Sequence, residues 1–306
     1  MTALVTGGAG FIGSNLVDAL LGRGDRVRVL DDFSTGRRQN LPPNIDLIQG
    51  SVADAALVAR AVQGVEVVYH LAAVVSVQQC LEQPVAANEV NVVGTSRILQ
   101  AAAAAGARRV VFASSAAVYG DSPVLPKREE LPPDPLSSYA VAKLSGEQLG
   151  RTVPGVQFVA LRFFNVYGPR QNPHSQYAAA IPIFLTALEA GRPLPIFGDG
   201  SQTRDFTFVG DVVSGLLLAG DAGGIDGRVF NIAAGRAITV SDLAYALGRA
   251  AGRPVEFDFK PPRPGEILHS YGDVGAAERF LGFKARVPLD EGLAETVKWF
   301  RGRRGD

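Results

Sequence analysis

Thr2-Ala3-Leu4-Val5-Thr6-Gly7-Gly8-Ala9-Gly10-Phe11-Ile12-Gly13 opens the chain directly after Met1. Leu4-Val5 reads as the end of a buried strand. The glycines after it allow a tight turn, a close backbone approach to a pyrophosphate, and the start of a helix whose free amides and dipole face the anion. Ser14 to Leu21 is amphipathic and helix-prone, ending near Gly22 and Gly24, and Arg26 to Leu30 reads as a second strand closed by Asp31-Asp32. A glycine motif alone is a weak sign. Here it sits between strand and helix, and Asp31 follows Gly13 by 18 positions, which is the setting of a dinucleotide fingerprint. A carboxylate at the end of the second strand can accept both ribose hydroxyls and repels a 2′-phosphate, favouring NAD over NADP, although Arg37 and Arg38 lie nearby in sequence.

The rest of the first half keeps this rhythm. Leu47-Ile48-Gln49 is a short third strand, Val65 to Leu71 a fourth, Arg109 to Ala113 a fifth and Val156 to Arg162 a sixth. Between them, Asn91 to Gly106 reads as an alanine-rich helix and Ser138 to Val153 as another. Strands alternating with helices imply a Rossmann-type, doubly wound parallel sheet covered on both faces, with ligands beyond the carboxyl ends of the strands. Past Asn165 the alternation breaks. Turn-rich segments occur at Tyr167 to Pro173, Gly198 to Ser201 and Lys260 to Glu266, with a helix over Val240 to Ala251 capped by Thr239 or Ser241. The reading is a dinucleotide-binding domain over 1–165 and a smaller α/β substrate lobe over 166–306, with some segments returning to the first.

Composition narrows the partners. With 30 basic and 30 acidic residues the formal charge is zero, so nothing draws the chain as a whole to nucleic acid or an anionic membrane. Cys80 is the single cysteine and excludes an internal disulfide or a cysteine-based metal site. The three histidines, His70, His174 and His269, lack metal-binding spacing. The amino-terminal strand has no basic region before it, and no apolar run reaches the roughly 18–20 residues needed to span a bilayer. The expected address is cytoplasmic.

Tyr139 and Lys143 lie four residues apart, hence on one helix face. A phenol is a poor base at neutral pH, but a lysine cation and an oxidised nicotinamide favour the phenolate. Such a tyrosine can take the proton of a sugar hydroxyl while hydride leaves the same carbon. The same pair also arises on ordinary surface helices, and serines after a strand, such as Ser114-Ser115, are often only turn formers. His70 reads as a packed strand-end residue rather than a catalyst.

Together, Thr6 to Gly13, Asp31, His70-Leu71-Ala72-Ala73, Ser114 to Gly120, Tyr139 to Lys143, Arg162 to Arg170, Thr203 to Phe206 and Arg263-Pro264-Gly265-Glu266 resemble the extended short-chain dehydrogenase/reductases. Within them the chain resembles the nucleotide-sugar 4-epimerases of the UDP-galactose 4-epimerase type. The resemblance implies NAD contacts from Gly7, Gly10, Phe11, Ile12, Gly13, Asp31, Asp32, Leu71, Ala72, Ala73, Tyr139 and Lys143. It implies Ser115 as the active-site hydroxyl, Tyr139 as base and Lys143 as its partner. Ser76, Asn165, Arg204, Arg263, Glu266 and Ser270 match substrate positions, the two arginines gripping a nucleotide diphosphate. It further implies a homodimer joined through helices near 96–105 and 139–152.

Relatives that eliminate water or decarboxylate carry acidic residues just after the serine; here Ala116-Ala117 stand there. The reaction implied is therefore UDP-hexose 4-epimerisation. Ser270, at a position where a bulky residue restricts the site, implies room for N-acetylhexosamines as well as glucose and galactose. Ser51 stands where an aspartate usually touches adenine, and Gln78-Gln79 where Pro-Arg is often seen. Three other readings remain: a UDP-glucuronate 4-epimerase using the same apparatus, another NDP-sugar-modifying enzyme such as a dehydratase or decarboxylase, and a non-catalytic NAD-binding regulator on the same fold.

Overall fold

Near-continuous runs of Val, Ile, Leu and Ala become six strands in the first half: β1 (Thr2–Thr6), β2 (Arg26–Asp31), β3 (Asp46–Gln49), β4 (Val67–His70), β5 (Arg109–Ser115) and β6 (Gln157–Phe163). This is the pattern of strands buried on both faces. The computed structural model describes residues 1–172, 180–262 and 267–302. Helices α1 (Phe11–Gly22), α2 (Ala55–Ala61), α3 (Val77–Glu82), α4 (Pro84–Asn88), α5 (Thr95–Ala104) and α6 (Ser138–Thr152) connect these strands. Beyond them come β7 (Asn165–Tyr167), α7 (Ala180–Glu189), β8 (Leu194–Phe197), β9 (Thr203–Arg204), β10 (Phe206–Phe208), α8 (Val209–Asp221) and β11 (Arg228–Ile232). The chain continues through β12 (Ile238–Thr239), α9 (Val240–Ala251), β13 (Phe257–Lys260), α10 (Gly275–Leu281) and α11 (Leu289–Gly302).

The main sheet runs β11-β6-β5-β4-β1-β2-β3, every neighbouring pair parallel. Strand order reverses between β1 and β4, so the crevice for a ligand opens where Thr6 and His70 end their strands. Alternate residues feed opposite cores. Ala3 and Val5 join Leu16, Leu20, Val212 and Leu216 on one face, while Leu4 joins Val58, Ile98, Leu99 and Phe112 on the other. β11 lies beyond residue 165 yet completes the main sheet, and α8 packs on the same face as α1.

The remaining strands form small pairs: β7 with β10, β9 with β12 and β8 with β13. A third core, with Phe184, Leu188, Leu243, Leu247, Leu293 and Val297, holds α7, α9 and α11 together.

The segment read as one helix from Asn91 differs. Glu89–Gly94 forms a π-helical turn before α5 begins at Thr95. Asn91 is buried there, and its side-chain oxygen takes the Val74 amide at 2.8 Å while its Nδ2 donates to the Val74 carbonyl at 2.9 Å. The wider turn turns this amide toward the loop after β4, a common use of π-turns near functional sites. Helix α6 approaches the sheet closely because Gly146 and Gly150 face Phe112 and Phe158; a Cβ at either would come within 2.4 Å and 2.2 Å of those rings.

Candidate active site

The glycine turn is built as its sequence demands. Gly7 takes φ +68°, and a Cβ there would lie 2.8 Å from the Ala72 nitrogen. A Cβ on Gly13 would lie 2.1 Å from the Gly7 carbonyl oxygen. The turn and the helix start therefore interlock, with the Gly10 amide donating to the Gly7 carbonyl at 3.1 Å. Gly10 caps α1 without a side chain, and its first turn has no acidic residue, so the helix end presents bare backbone amides. That arrangement fits a pyrophosphate. Phe11, Ile12 and Gly13 form this first turn, and Leu71, Ala72 and Ala73 run beside it, the Leu71 amide on the Thr6 carbonyl at 3.2 Å.

Asp31 is buried and accepts from the Ala9 amide through Oδ2 and the Phe33 amide through Oδ1, both at 2.8 Å. Burial pushes its carboxyl above the ordinary range, and those two amides pull against it. Each oxygen keeps a lone pair, which suits a ribose diol. Asp32 is exposed and turns back on Ser34, taking its amide at 2.9 Å. Arg38 is occupied: its guanidinium donates to the carbonyls of Leu41, Pro42 and Pro43 at 2.8–3.2 Å.

At the end of β5, the Ser115 hydroxyl oxygen accepts the Ala117 amide at 3.1 Å and lies near enough to the Tyr139 phenol to pull its pKa down. Burial nevertheless pushes the Tyr139 phenol up to about 12. Lys143 is buried one turn further along α6. Its Nζ donates to the Ala113 carbonyl at 2.7 Å and stands 5.7 Å from the Tyr139 ring centroid and 5.0 Å from that of Phe112. Burial pulls its pKa down to about 8. The lysine thus lies beside the tyrosine ring, as the spacing predicts, but its ammonium donates to the Ala113 carbonyl rather than to the phenol. It does not by itself bring the phenol toward neutrality.

His70 is a packed strand-end residue. Thr95 Oγ1 donates to the Asn91 carbonyl at 2.7 Å, so it accepts from His70 Nε2 at 3.0 Å; Nδ1 then accepts from Thr6 Oγ1 at 2.7 Å, which in turn takes the Ala72 amide at 3.2 Å. The ring is neutral, held down to about 3 by burial and by the Lys143 cation. Sequence reasoning missed Glu147. It is buried, accepts the Ser114 hydroxyl at 2.5 Å, and takes Nε and Nη2 of buried Arg162 at 2.9 and 2.8 Å. Two signals pointed to it: Glu147 follows Lys143 by four residues on the same helix face, and Arg162 interrupts an apolar strand.

On the far side of the crevice, Asn165 begins β7 with an exposed side chain, its amide on the Asp205 carbonyl at 3.0 Å. Arg204 Nη1 donates to the carbonyls of Thr203 at 2.8 Å and Leu268 at 3.2 Å. The Ser270 amide donates to the Thr203 carbonyl at 3.1 Å. Ser76 caps α3, its hydroxyl oxygen accepting the Gln79 amide at 3.1 Å. Arg263 and Glu266 lie outside the described residues, as do Pro173 to Ala179. Asp205, also missed as a site residue, is fully buried between β9 and β10. Among the described residues no cluster of His, Cys, Asp and Glu could hold a metal ion, and no helix is long and apolar enough to cross a membrane.

Residues 3–233 match the NAD dependent epimerase/dehydratase family. The chain belongs to that family. As a member it is an enzyme with NAD as its cofactor, and the cradle at Gly7–Gly13 and Asp31 fits one. It is 42% identical over 313 residues to the UDP-glucose 4-epimerase of Mycolicibacterium smegmatis, covering 99% of both chains. The UDP-glucose 4-epimerase of Thermotoga maritima, solved with UDP-glucose, superposes with a TM-score of 0.94 at 38% identity, over 99% of this chain and 100% of that one. The UDP-N-acetylglucosamine 4-epimerase of Methanobrevibacter ruminantium, solved with UDP-N-acetylmuramic acid, gives 0.94 at 34%, over 99% and 98%.

Proposed function

We propose that this enzyme is a UDP-hexose 4-epimerase that interconverts UDP-glucose and UDP-galactose, and UDP-GlcNAc and UDP-GalNAc, through a transient 4-keto sugar. The observation that carries the reading is local. The Ser115 hydroxyl and the Tyr139 phenol meet at the carboxyl end of β5 with Lys143 beside them, while the turn that follows, Ala116–Tyr119, opens with two methyl side chains. Hydroxyl oxidation is served by the first group. Elimination across the sugar ring or loss of a carboxylate needs an acid or base that Ala116 and Ala117 lack.

In this reading Gly7 to Gly13 hold the pyrophosphate, Asp31 the adenosine ribose, and Tyr139 and Lys143 the nicotinamide ribose. When bound, NAD supplies the hydride acceptor for C4, the hydride that returns to its other face, and a positive charge beside the phenol. Tyr139 takes the proton of the C4 hydroxyl and later gives it back, and Ser115 holds the same oxygen through its own hydroxyl. Arg204 and Arg263 grip the diphosphate so that the keto ring can present its opposite face. Asn165 and Ser76 border the sugar, and Ser270 leaves room beside its 2-substituent. With the Arg38 guanidinium held on three backbone carbonyls, that arginine is turned away from a 2′-phosphate, in keeping with NAD.

The active assembly is read as a cytoplasmic homodimer through α5 and α6. Val141, half exposed on the outer face of α6, borders a shallow groove with Leu144 and Leu149 that a second copy would cover. Light scattering measures that assembly. Incubation with UDP-glucose, UDP-GlcNAc and UDP-glucuronate separately, without added NAD, followed by product separation, tests the reaction. Conversion of both hexoses supports the reading. Turnover of UDP-glucose alone removes the N-acetylhexosamine assignment, and turnover of UDP-glucuronate alone replaces the substrate class.

A further inference from the structure

Asp205 stands between two strands of a site it does not face. Its side chain is fully buried, and Oδ1 accepts the Ala234 amide at 2.7 Å and the Thr207 hydroxyl at 3.4 Å. Oδ2 accepts the amides of Gly235 at 2.9 Å, Arg236 at 3.2 Å and Gly272 at 3.3 Å. Its backbone carbonyl takes the Asn165 amide. One residue thus ties β7, the β11–β12 loop and the segment after Ser270. A carboxylate out of water is costly unless its lone pairs are filled, and here the backbone fills them.

The neighbours of Asp205 repeat the pattern. Thr203 donates its amide to the Leu268 carbonyl at 2.9 Å and accepts from the Ser270 amide, while Arg204 rests its Nη1 on the carbonyls of Thr203 and Leu268. Segments 203–205 and 268–272 are therefore laced on both sides of Arg204. We infer that Asp205 is a positioning residue, setting Arg204 and the Ser270 segment in one register for the diphosphate and the sugar. This assignment rests on the function proposed above.

Asp205→Asn keeps the shape and removes one acceptor, turning an NH2 toward backbone donors that need an oxygen. The expected result is a KM for UDP-glucose raised about tenfold or more, with a smaller change in kcat, as for a lost charged hydrogen-bond acceptor. Cofactor content after purification stays at the wild-type level. UDP should lose its advantage over UMP as a competing ligand, because the second phosphate is what Arg204 meets. A role confined to fold stability lowers the melting temperature and leaves both the UDP-to-UMP ratio and KM in place; that outcome overturns the proposal.

Wild-type hydrogen exchange keeps the test readable if the variant does not fold. The amides of Ala234, Gly235, Arg236 and Gly272 should open together and gain protection together when UDP is added. Independent opening, or no response to UDP, overturns the assignment. Wild-type protein that binds UDP but turns over no UDP-hexose defeats the reaction and still permits the Asp205 comparison. Wild-type protein that binds no UDP defeats both.

Discussion

The two walls of the crevice are made in different ways. In the proposed site, the pyrophosphate and adenosine end of the cofactor wall comes from one stretch of chain, Val5 to Asn40, with Leu71 to Ala73 beside it, and relies on backbone amides, a helix end and the Asp31 carboxylate. The proposed substrate wall would gather Asn165, Arg204 and Ser270, which stand on separate segments tied together through Asp205 and Thr203. A wall made of contiguous backbone is set by where side chains are missing. A wall made of distant segments is set by which buried side chain joins them. Changes on the first should act on cofactor retention, and changes on the second on KM and sugar choice.

The largest effect should come from the point where the walls meet. Tyr139→Phe should lower kcat by about a hundred- to ten-thousand-fold while cofactor content and melting temperature stay near wild type; turnover within a few-fold of wild type would remove Tyr139 from the proton path. On the substrate wall, Ser270→Tyr should shift the ratio of kcat/KM for UDP-GlcNAc over UDP-glucose by about 10- to 200-fold toward glucose. Parallel assays with the two sugars measure it, and an unchanged ratio means that Ser270 does not border the 2-substituent.

On the cofactor wall, Gly13→Ala forces a Cβ against the Gly7 carbonyl, an overpacking cost of about 1–3 kcal/mol. The purified variant should release its NAD, read as cofactor per chain after denaturation. Gly10→Ala is the milder companion, since its Cβ would meet only the Gly7 carbonyl oxygen, at 3.2 Å. The effect furthest from turnover concerns Lys143, whose pKa is lowered from 10.5 to about 8 on folding. Between those values the unfolded chain binds a proton that the folded chain has released, so this group adds stability as pH rises through that window. Denaturant titrations across it should show the rise, and Lys143→Met should flatten it.

Much of the cofactor wall was legible because glycine spacing, a strand and Asp31 are all local in sequence. The periodic apolar runs likewise marked the sheet, since strands buried on both faces leave few other readings. The π-turn at Glu89–Gly94 escaped because propensity favours an ordinary helix there; what bends it is the side chain of Asn91 bonding to Val74, 17 residues back. Glu147 and Asp205 escaped for a related reason. A carboxylate looks solvated until its partners are known, and those partners arrive from other strands and loops. The spacing of Tyr139 and Lys143 foresaw their proximity but not the Ala113 carbonyl that holds the ammonium.

The return of β11 to β6 has a consequence for how the molecule is made. Without β11, β6 would be the last strand of the sheet, with a full row of unpaired amides and carbonyls along its outer side. Such a row invites pairing with another chain. During synthesis β6 emerges long before β11, and the whole passage through β7 to α8 must follow before that row is covered. The cofactor half is thus exposed to misassembly until the substrate-side segment has been completed. A chain stopped before Arg228 should aggregate rather than persist as a free dinucleotide-binding domain.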